Sequence, residues 1–184
     1  MPKLLTIFIF LLLSACGVDK QAQVITGTTM GTSYLVKVAD GNIEKAQIDE
    51  RLRQINKTFS TWDLTSELSL LNQQPSGQWI DVSKSLFFVL SEAKKIHNQT
   101  QGWFDPGMGR LIDAWGFGAV QVLQKPDKSQ AVKIKQNASI EYLQLNNQQV
   151  KKTKNIDINL SAIAKGYAAD EIAALLNKTG AQDF

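Results

Sequence analysis

The sequence predicts an α+β fold, and two periodicities carry that reading. Thr32–Val38 alternates, with Tyr34, Val36 and Val38 on one side, as a half-buried strand does. Ile48, Leu52, Ile55 and Phe59 recur at spacings of four, three and four, which lines one face of a helix. Both patterns return later in the chain, and no internal repeat or low-complexity stretch competes with them. Composition agrees: 43% of the 184 residues are hydrophobic and 20% are charged, the profile of a globular chain and not of a disordered or fibrous one. This length accommodates one domain with a sizeable core.

The chain opens with a leader. Lys3 precedes the apolar run Leu4–Leu13, interrupted only by Thr6. As a helix that run reaches about 15 Å, half of the ~30 Å hydrocarbon core of a bilayer, so it predicts a signal h-region and not a membrane span. Leu13-Ser14-Ala15-Cys16 follows, with the single cysteine where a small-residue cleavage site falls. This resembles the bacterial lipoprotein box, in which the cysteine thiol is acylated and becomes the first residue of the mature chain. The boundaries it implies are a signal peptide over 1–15, a polar lipid-anchored tether over 16–24 and a folded domain over 25–184. The mature protein is expected outside the cytoplasm, tied to a membrane through Cys16.

Asp40-Gly41-Asn42 ends the first strand, and the Ile48–Phe59 stripe gives the first helix. A second helix is predicted over Leu86–Asn98, with Leu86, Val89, Leu90, Ala93 and Ile96 inward and Ser83 as its cap. Tyr142–Leu145 and Val150–Thr153 flank Asn146-Asn147 as a hairpin. Ile156, Ile158 and Leu160 alternate as a further strand. A third helix covers Ala164–Asn177, and Gly180 is placed to end it. Ala181–Phe184 reads as the start of one more strand, so the sequence is read as the N-terminal portion of a longer protein.

Charge and residue counts exclude several functions. A formal charge of +3 is too small to suggest nucleic acid or a polybasic membrane surface, and the lysines between 120 and 155 are dispersed among polar residues. One cysteine permits no internal disulfide framework and no cysteine-based zinc site, and one histidine permits no multi-histidine metal centre. That histidine, His97, lies on the second helix among Lys94, Lys95 and Asn98 and reads as structural or surface.

Four segments carry chemistry. In Thr28-Thr29-Met30-Gly31-Thr32, small hydroxyl residues around a glycine allow close backbone approach to a ligand; an ordinary turn-to-strand junction fits equally. Ser60-Thr61-Trp62-Asp63 sets a large ring at a helix end, either to stack on an aromatic ligand or to fill the core. Gly102-Trp103-Phe104-Asp105-Pro106, running on to Trp115-Gly116-Phe117-Gly118, packs glycines among aromatic residues and suggests a pocket wall. Its Asp105, held extended before proline, is available to hydrogen-bond a ligand edge. Asn159-Leu160-Ser161-Ala162-Ile163-Ala164-Lys165-Gly166-Tyr167 joins a strand to a helix start, where free amides, the dipole and Lys165 suit a phosphate. It lacks the glycine spacing of a Walker A loop.

In this order the segments resemble the ApbE family of flavin transferases, over about Thr26–Phe184. The most specific pieces are Thr29-Met30-Gly31-Thr32, Phe104-Asp105-Pro106 with Trp115-Gly116-Phe117-Gly118, and Ser161–Tyr167. The resemblance implies a T-fold-related mixed sheet with packed helices. It implies Mg²⁺-dependent cleavage of FAD, with FMN attached through a phosphoester to a Ser or Thr of an acceptor protein and AMP released. The implied acceptors are subunits of Na⁺-pumping membrane redox complexes and related electron-transport proteins, which favours the periplasmic face of the inner membrane. By motif position, Met30 and Trp62 contact FAD, Trp62 standing where a tyrosine is usual. Trp103, Phe104 and Asp105 line the flavin pocket, Lys165 contacts FAD, and the Ala162 backbone carbonyl coordinates magnesium. Gly107-Met108-Gly109-Arg110 departs from the usual Thr-Val-Gly-Pro, and Asn159 stands where many relatives carry Asp. The resemblance places the remaining metal ligands and the candidate base after residue 184, so no catalytic residue is assigned here, and the chain alone is expected to be inactive. Two rival functions are an FAD pyrophosphatase and a non-enzymatic flavin-binding lipoprotein.

Overall fold

The computed structural model describes residues 22–119 and 122–184. The leader, Cys16 and all but the end of the expected tether lie outside them. Strand β1 (Gln23–Thr29) pairs antiparallel with β2 (Thr32–Val38) over its whole length, Gln23 facing Val38 and Thr29 facing Thr32. The alternation in Thr32–Val38 predicted β2. β1 escaped it because Val24 and Ile25 are adjacent and the rest of the strand is polar or glycine. Met30 and Gly31 connect the strands with φ of 50° and 72°, the left-handed pair of a type I′ hairpin turn. The segment read as the entry to a first strand is therefore the tip of a hairpin. Tyr34 lies across Gly27 on the paired strand, where a β-carbon would come within 2.5 Å of its ring.

Helix α1 (Lys45–Phe59) starts at a capping box between Glu44 and Gln47 and buries Ile48, Leu52, Ile55 and Phe59, the predicted stripe. Each such side chain, fully buried, stabilises the fold by about 1.5–3 kcal/mol. The short helix α2 (Glu67–Gln73) follows, capped by Ser66. After β3 (Ile80–Asp81), helix α3 (Lys84–Gln99) begins where Ser83 Oγ accepts the Leu86 N–H at 3.1 Å. Leu86, Val89, Leu90 and Ala93 are buried as predicted. At the last turn His97 takes the inward position and Ile96 is only half-buried.

Helices α4 (Gly109–Ala114) and α5 (Lys128–Gln136) lead to β4 (Leu143–Asn146) and β5 (Gln149–Lys152), and β3 completes a second sheet in the order β3-β5-β4. The turn of this hairpin is Asn147-Gln148, with φ of 44° and 65°, one residue later than expected. Helix α6 (Ser161–Lys178) packs its Ala164, Ala168, Ile172 and Leu176 face against α1 and α3, and Gly180 follows its end with φ of 87°.

The strand expected at Ile156–Leu160 does not form. Ile156, Ile158 and Leu160 are buried, so the alternation reported burial correctly, but the only bridge is an isolated one between Met108 and Asp157. The segment's N–H groups find partners outside any ladder. Ile158 donates to Asn72 Oδ1 and Asn159 to Pro106 O, both at 2.8 Å. Ala181–Phe184 likewise forms no strand, and its backbone bonds Ala39 and Asp40. No helix among the described residues is long and apolar enough to cross a membrane.

Candidate functional site

Three of the four segments meet. The hairpin tip, the loop after α1 and the first turns of α6 enclose a cavity of about 500 Å³, within the range of small-molecule sites. Met30, Trp62 and Lys165 all line it, together with Asn56, Thr61 and Ser161. A left-handed conformation at a non-glycine residue such as Met30 costs on the order of 1–3 kcal/mol and gathers at ligand sites.

Trp62 stands on a loop tied down from several sides. Ser60 Oγ accepts the N–H groups of Trp62 and Asp63 at 3.1 and 3.0 Å. Asp63 Oδ1 accepts from the Thr65 amide and hydroxyl, and Lys57 Nζ donates to Oδ2 at 2.6 Å. The Lys57 ammonium and the Thr65 donors hold the Asp63 carboxyl down at about 2. The loop fixes the backbone and leaves the ring free: Trp62 is 65% exposed. Core filling, the other reading of this tryptophan, is thereby excluded.

The start of α6 differs from its expected form. Ser161 N–H is bonded by Asn159 Oδ1 at 2.9 Å, and the Ile163 and Ala164 amides reach Leu160 O at 3.0 and 2.8 Å. The free amides predicted for phosphate are thus largely engaged within the turn. Asn159 thus meets the first amide of the helix through Oδ1, a contact that an Asp carboxylate would make equally, so nothing in the structure explains the amide at this position. Exposed Lys165 and the Ser161 hydroxyl remain to meet an anion.

The third segment stands apart from this cavity, and Trp103, Phe104 and Asp105 are not among its lining residues. Trp103 is 94% exposed, while Phe104 packs against the core. Asp105 Oδ1 accepts the N–H groups of Gly107 and Ile140, each at 2.8 Å, so this oxygen secures the loop. His97 Nδ1 lies 2.9 Å from Phe104 O. A carbonyl only accepts, so Nδ1 carries the proton, and the histidine holds the same loop from beneath. Gly107 is required by a close approach, since a β-carbon there would meet Ile140 N at 2.2 Å. Arg110, part of the departure from the usual Thr-Val-Gly-Pro, pairs with Asp157 at 3.3 Å.

A second cavity, of about 490 Å³, flanks the other side of the hairpin tip. It shares Met30 and Asn56 with the first and adds Lys45, Asp49 and Arg53. Lys45 is hydrogen-bonded to Asp49, which lowers the Asp49 carboxyl, and Tyr34 OH donates to Asp49 Oδ1 at 2.5 Å. Asn56 carried no signal in the sequence; a polar residue in the last turn of an amphipathic helix is ordinary.

For magnesium, the described residues supply one of the donors the resemblance assigns, the carbonyl of exposed Ala162 in the first turn of α6. Among the described residues no group of three or more His, Cys, Asp or Glu is placed to hold a metal ion. They do not by themselves build a magnesium site.

Residues 30–184 match the ApbE family. The chain belongs to that family. It is 30% identical to an FAD:protein FMN transferase of Vibrio cholerae over 95% of this chain and 54% of the relative, and 32% identical to that of Haemophilus influenzae over 94% and 54%. The chain therefore spans about half the length of these curated relatives. Among solved structures, the flavin transferase ApbE from Vibrio cholerae superposes with a TM-score of 0.82 at 30% identity, covering 87% of this chain and 55% of that one. The apo flavinyl transferase ApbE of Pseudomonas stutzeri, at 22% identity and a TM-score of 0.83, shares the fold. The α+β arrangement is that of the ApbE fold, of which this chain covers about 55%.

Proposed function

We infer that this chain supplies FAD-binding surface to a flavin transferase that moves FMN from FAD onto a Ser or Thr of an acceptor protein. One observation carries this reading within an ApbE chain: Met30, Trp62 and Lys165, far apart in sequence, converge on one cavity. Their chemistry suits a flavin dinucleotide. An exposed indole offers a stacking face, a thioether adapts to a ring edge, and a lysine with a neighbouring hydroxyl answers a pyrophosphate. Trp103, Phe104 and Asp105 are proposed as a further wall of the site, approached by other parts of the natural protein or by the ligand itself.

In the proposed reaction the acceptor hydroxyl oxygen bonds the FMN phosphorus, the phosphoanhydride bond to AMP breaks, and the hydroxyl proton is lost to a base. Such transfers need charge neutralisation and in-line positioning more than covalent help. Mg²⁺ dependence belongs to the proposal: the ion keeps several waters and takes few protein ligands, so a carbonyl such as that of Ala162 is a suitable donor. Lipid attachment at Cys16, residence at the periplasmic face of the inner membrane, and acceptors in Na⁺-pumping and related redox complexes complete the proposal. Only the sequence resemblances support those parts.

The test is the mass of an acceptor domain carrying an exposed Ser or Thr, incubated with FAD, Mg²⁺ and the natural protein that carries this chain. It should rise by the mass of FMN less water, with AMP released and chelation stopping both. AMP without a modified acceptor would make the protein an FAD pyrophosphatase, and tight FAD binding with neither product would make it a flavin carrier. The 184-residue chain alone should give no transfer.

A further inference from the structure

No residue of helix α2 is among those lining the cavity, yet polar side chains on it and at its cap hold both sides of that cavity. At its start, Ser66 Oγ and Ser69 Oγ both donate to the carbonyl of Ser60, at 2.5 and 3.0 Å. Ser66 and Ser69 are buried, and Ser60 in turn fixes the Trp62 and Asp63 amides. At its end, Asn72 grips the backbone of Ile158 twice: Nδ2 donates to Ile158 O and Oδ1 accepts from Ile158 N, each at 2.8 Å. This bidentate pair replaces the ladder that the Ile156–Leu160 segment lacks. Three residues later the chain enters α6 and the wall bearing Ser161 and Lys165.

The asparagine is itself held. Lys152, fully buried, donates through Nζ to Asn72 O at 2.6 Å and to Ile156 O at 3.3 Å. Leu68 and Leu71 are buried between these two ends, so the helix is anchored in the core along its length. A half-buried amide bonded on both sides is unforgiving, since displacing it leaves two backbone groups of Ile158 without these partners.

We propose that α2 is a brace in which Asn72, with Ser66 and Ser69 at the opposite end, acts as a positioning residue that sets the gap between the Trp62 wall and the Ser161–Lys165 wall. A ligand touching both walls binds well only if that gap is fixed beforehand. The consequence for FAD rests on the flavin reading above; the brace itself does not.

Hydrogen exchange and FAD titration on the natural protein separate the two. Asn72→Leu removes the grip at similar volume, and Asn72→Asp, which keeps the acceptor for Ile158 N–H, is the milder variant should the first fail to fold. Peptides covering 156–165 and 60–66 should exchange at least tenfold faster in Asn72→Leu and about threefold faster in Asn72→Asp, while peptides from α3 stay within twofold of the parent in both. FAD affinity should fall by at least tenfold in Asn72→Leu, measured well below its melting temperature. Exchange that rises uniformly along the chain, or remains unchanged at 156–165, would overturn the brace whatever the ligand. Selective loosening without any change in FAD affinity would overturn its role in positioning. A parent protein that does not bind FAD at all would sink the flavin reading, with the exchange pattern still deciding on the brace.

Discussion

Lys152 is a fully buried lysine bonded to two backbone carbonyls. Its ammonium is taken out of water and meets two carbonyls but no hydrogen-bonded carboxylate, so burial pushes its pKa below the ordinary 10.5, partly opposed by the charge of Asp157. The proton therefore binds more weakly in the folded chain than in the unfolded one. Stability then increases as pH rises from the depressed folded value toward 10.5, the direction opposite to that of a lysine in a salt bridge. Lys152→Met removes this titration and leaves Asn72 O and Ile156 O without the ammonium. It should cost about 1–3 kcal/mol at neutral pH. Denaturant melts of both proteins across the alkaline range check both statements: the parent's advantage over the variant should widen with pH. A constant difference would mean that the amine is not desolvated.

At the scale of elements, the Trp62 loop is held by a carboxylate at one end of its turn. Because Asp63 titrates at about 2 when folded and at 3.8 ordinarily, the stability it confers is complete above the upper value and is lost as pH falls through the lower. Tryptophan emission should therefore change between pH 4 and 2 as the backbone that carries Trp62 loosens. In Lys57→Met, where the largest cause of the depression is gone, that change should move to higher pH. An identical midpoint in the two proteins would remove Lys57 from the account.

The same elements separate what sequence pattern encodes from what it does not. The stripes of α1 and α3 were legible because every inward position except His97, at the last turn of α3, is apolar and the spacing belongs to a helix. β1 was not, since its two apolar residues, Val24 and Ile25, are adjacent and fall on opposite faces among polar residues and glycine, and its register is imposed by the Met30-Gly31 turn and by pairing with β2. The Ile156–Leu160 segment carried a strand's pattern without a strand's partners, because alternation reports burial on one side and says nothing about where backbone hydrogen bonds go. Met30, Trp62 and Lys165 were named from motif resemblance, and their meeting in one cavity needed the structure. Asn72 gave no signal, since its role depends on backbone groups of Ile158 brought close only by folding, and Asn56 is an ordinary polar residue in the last turn of its helix.

For the whole molecule, three layers of dependence lead from the core to the cavity. Buried faces of α1, α3 and α6 fix the helices, α2 ties the loops that leave them, and the hairpin tip closes the remaining side. The ring of Trp62 contributes little to that core, so its loss should be almost silent in stability, within about 0.5 kcal/mol as for most surface positions. That separates recognition from folding in one experiment. FAD titration of the natural protein and of Trp62→Leu, followed by flavin fluorescence beside a thermal melt, tests the central claim that this cavity receives the flavin dinucleotide. The account predicts at least a tenfold loss of affinity with a melting temperature shifted by no more than a few degrees. Unchanged affinity for FAD in a folded Trp62→Leu protein would contradict it.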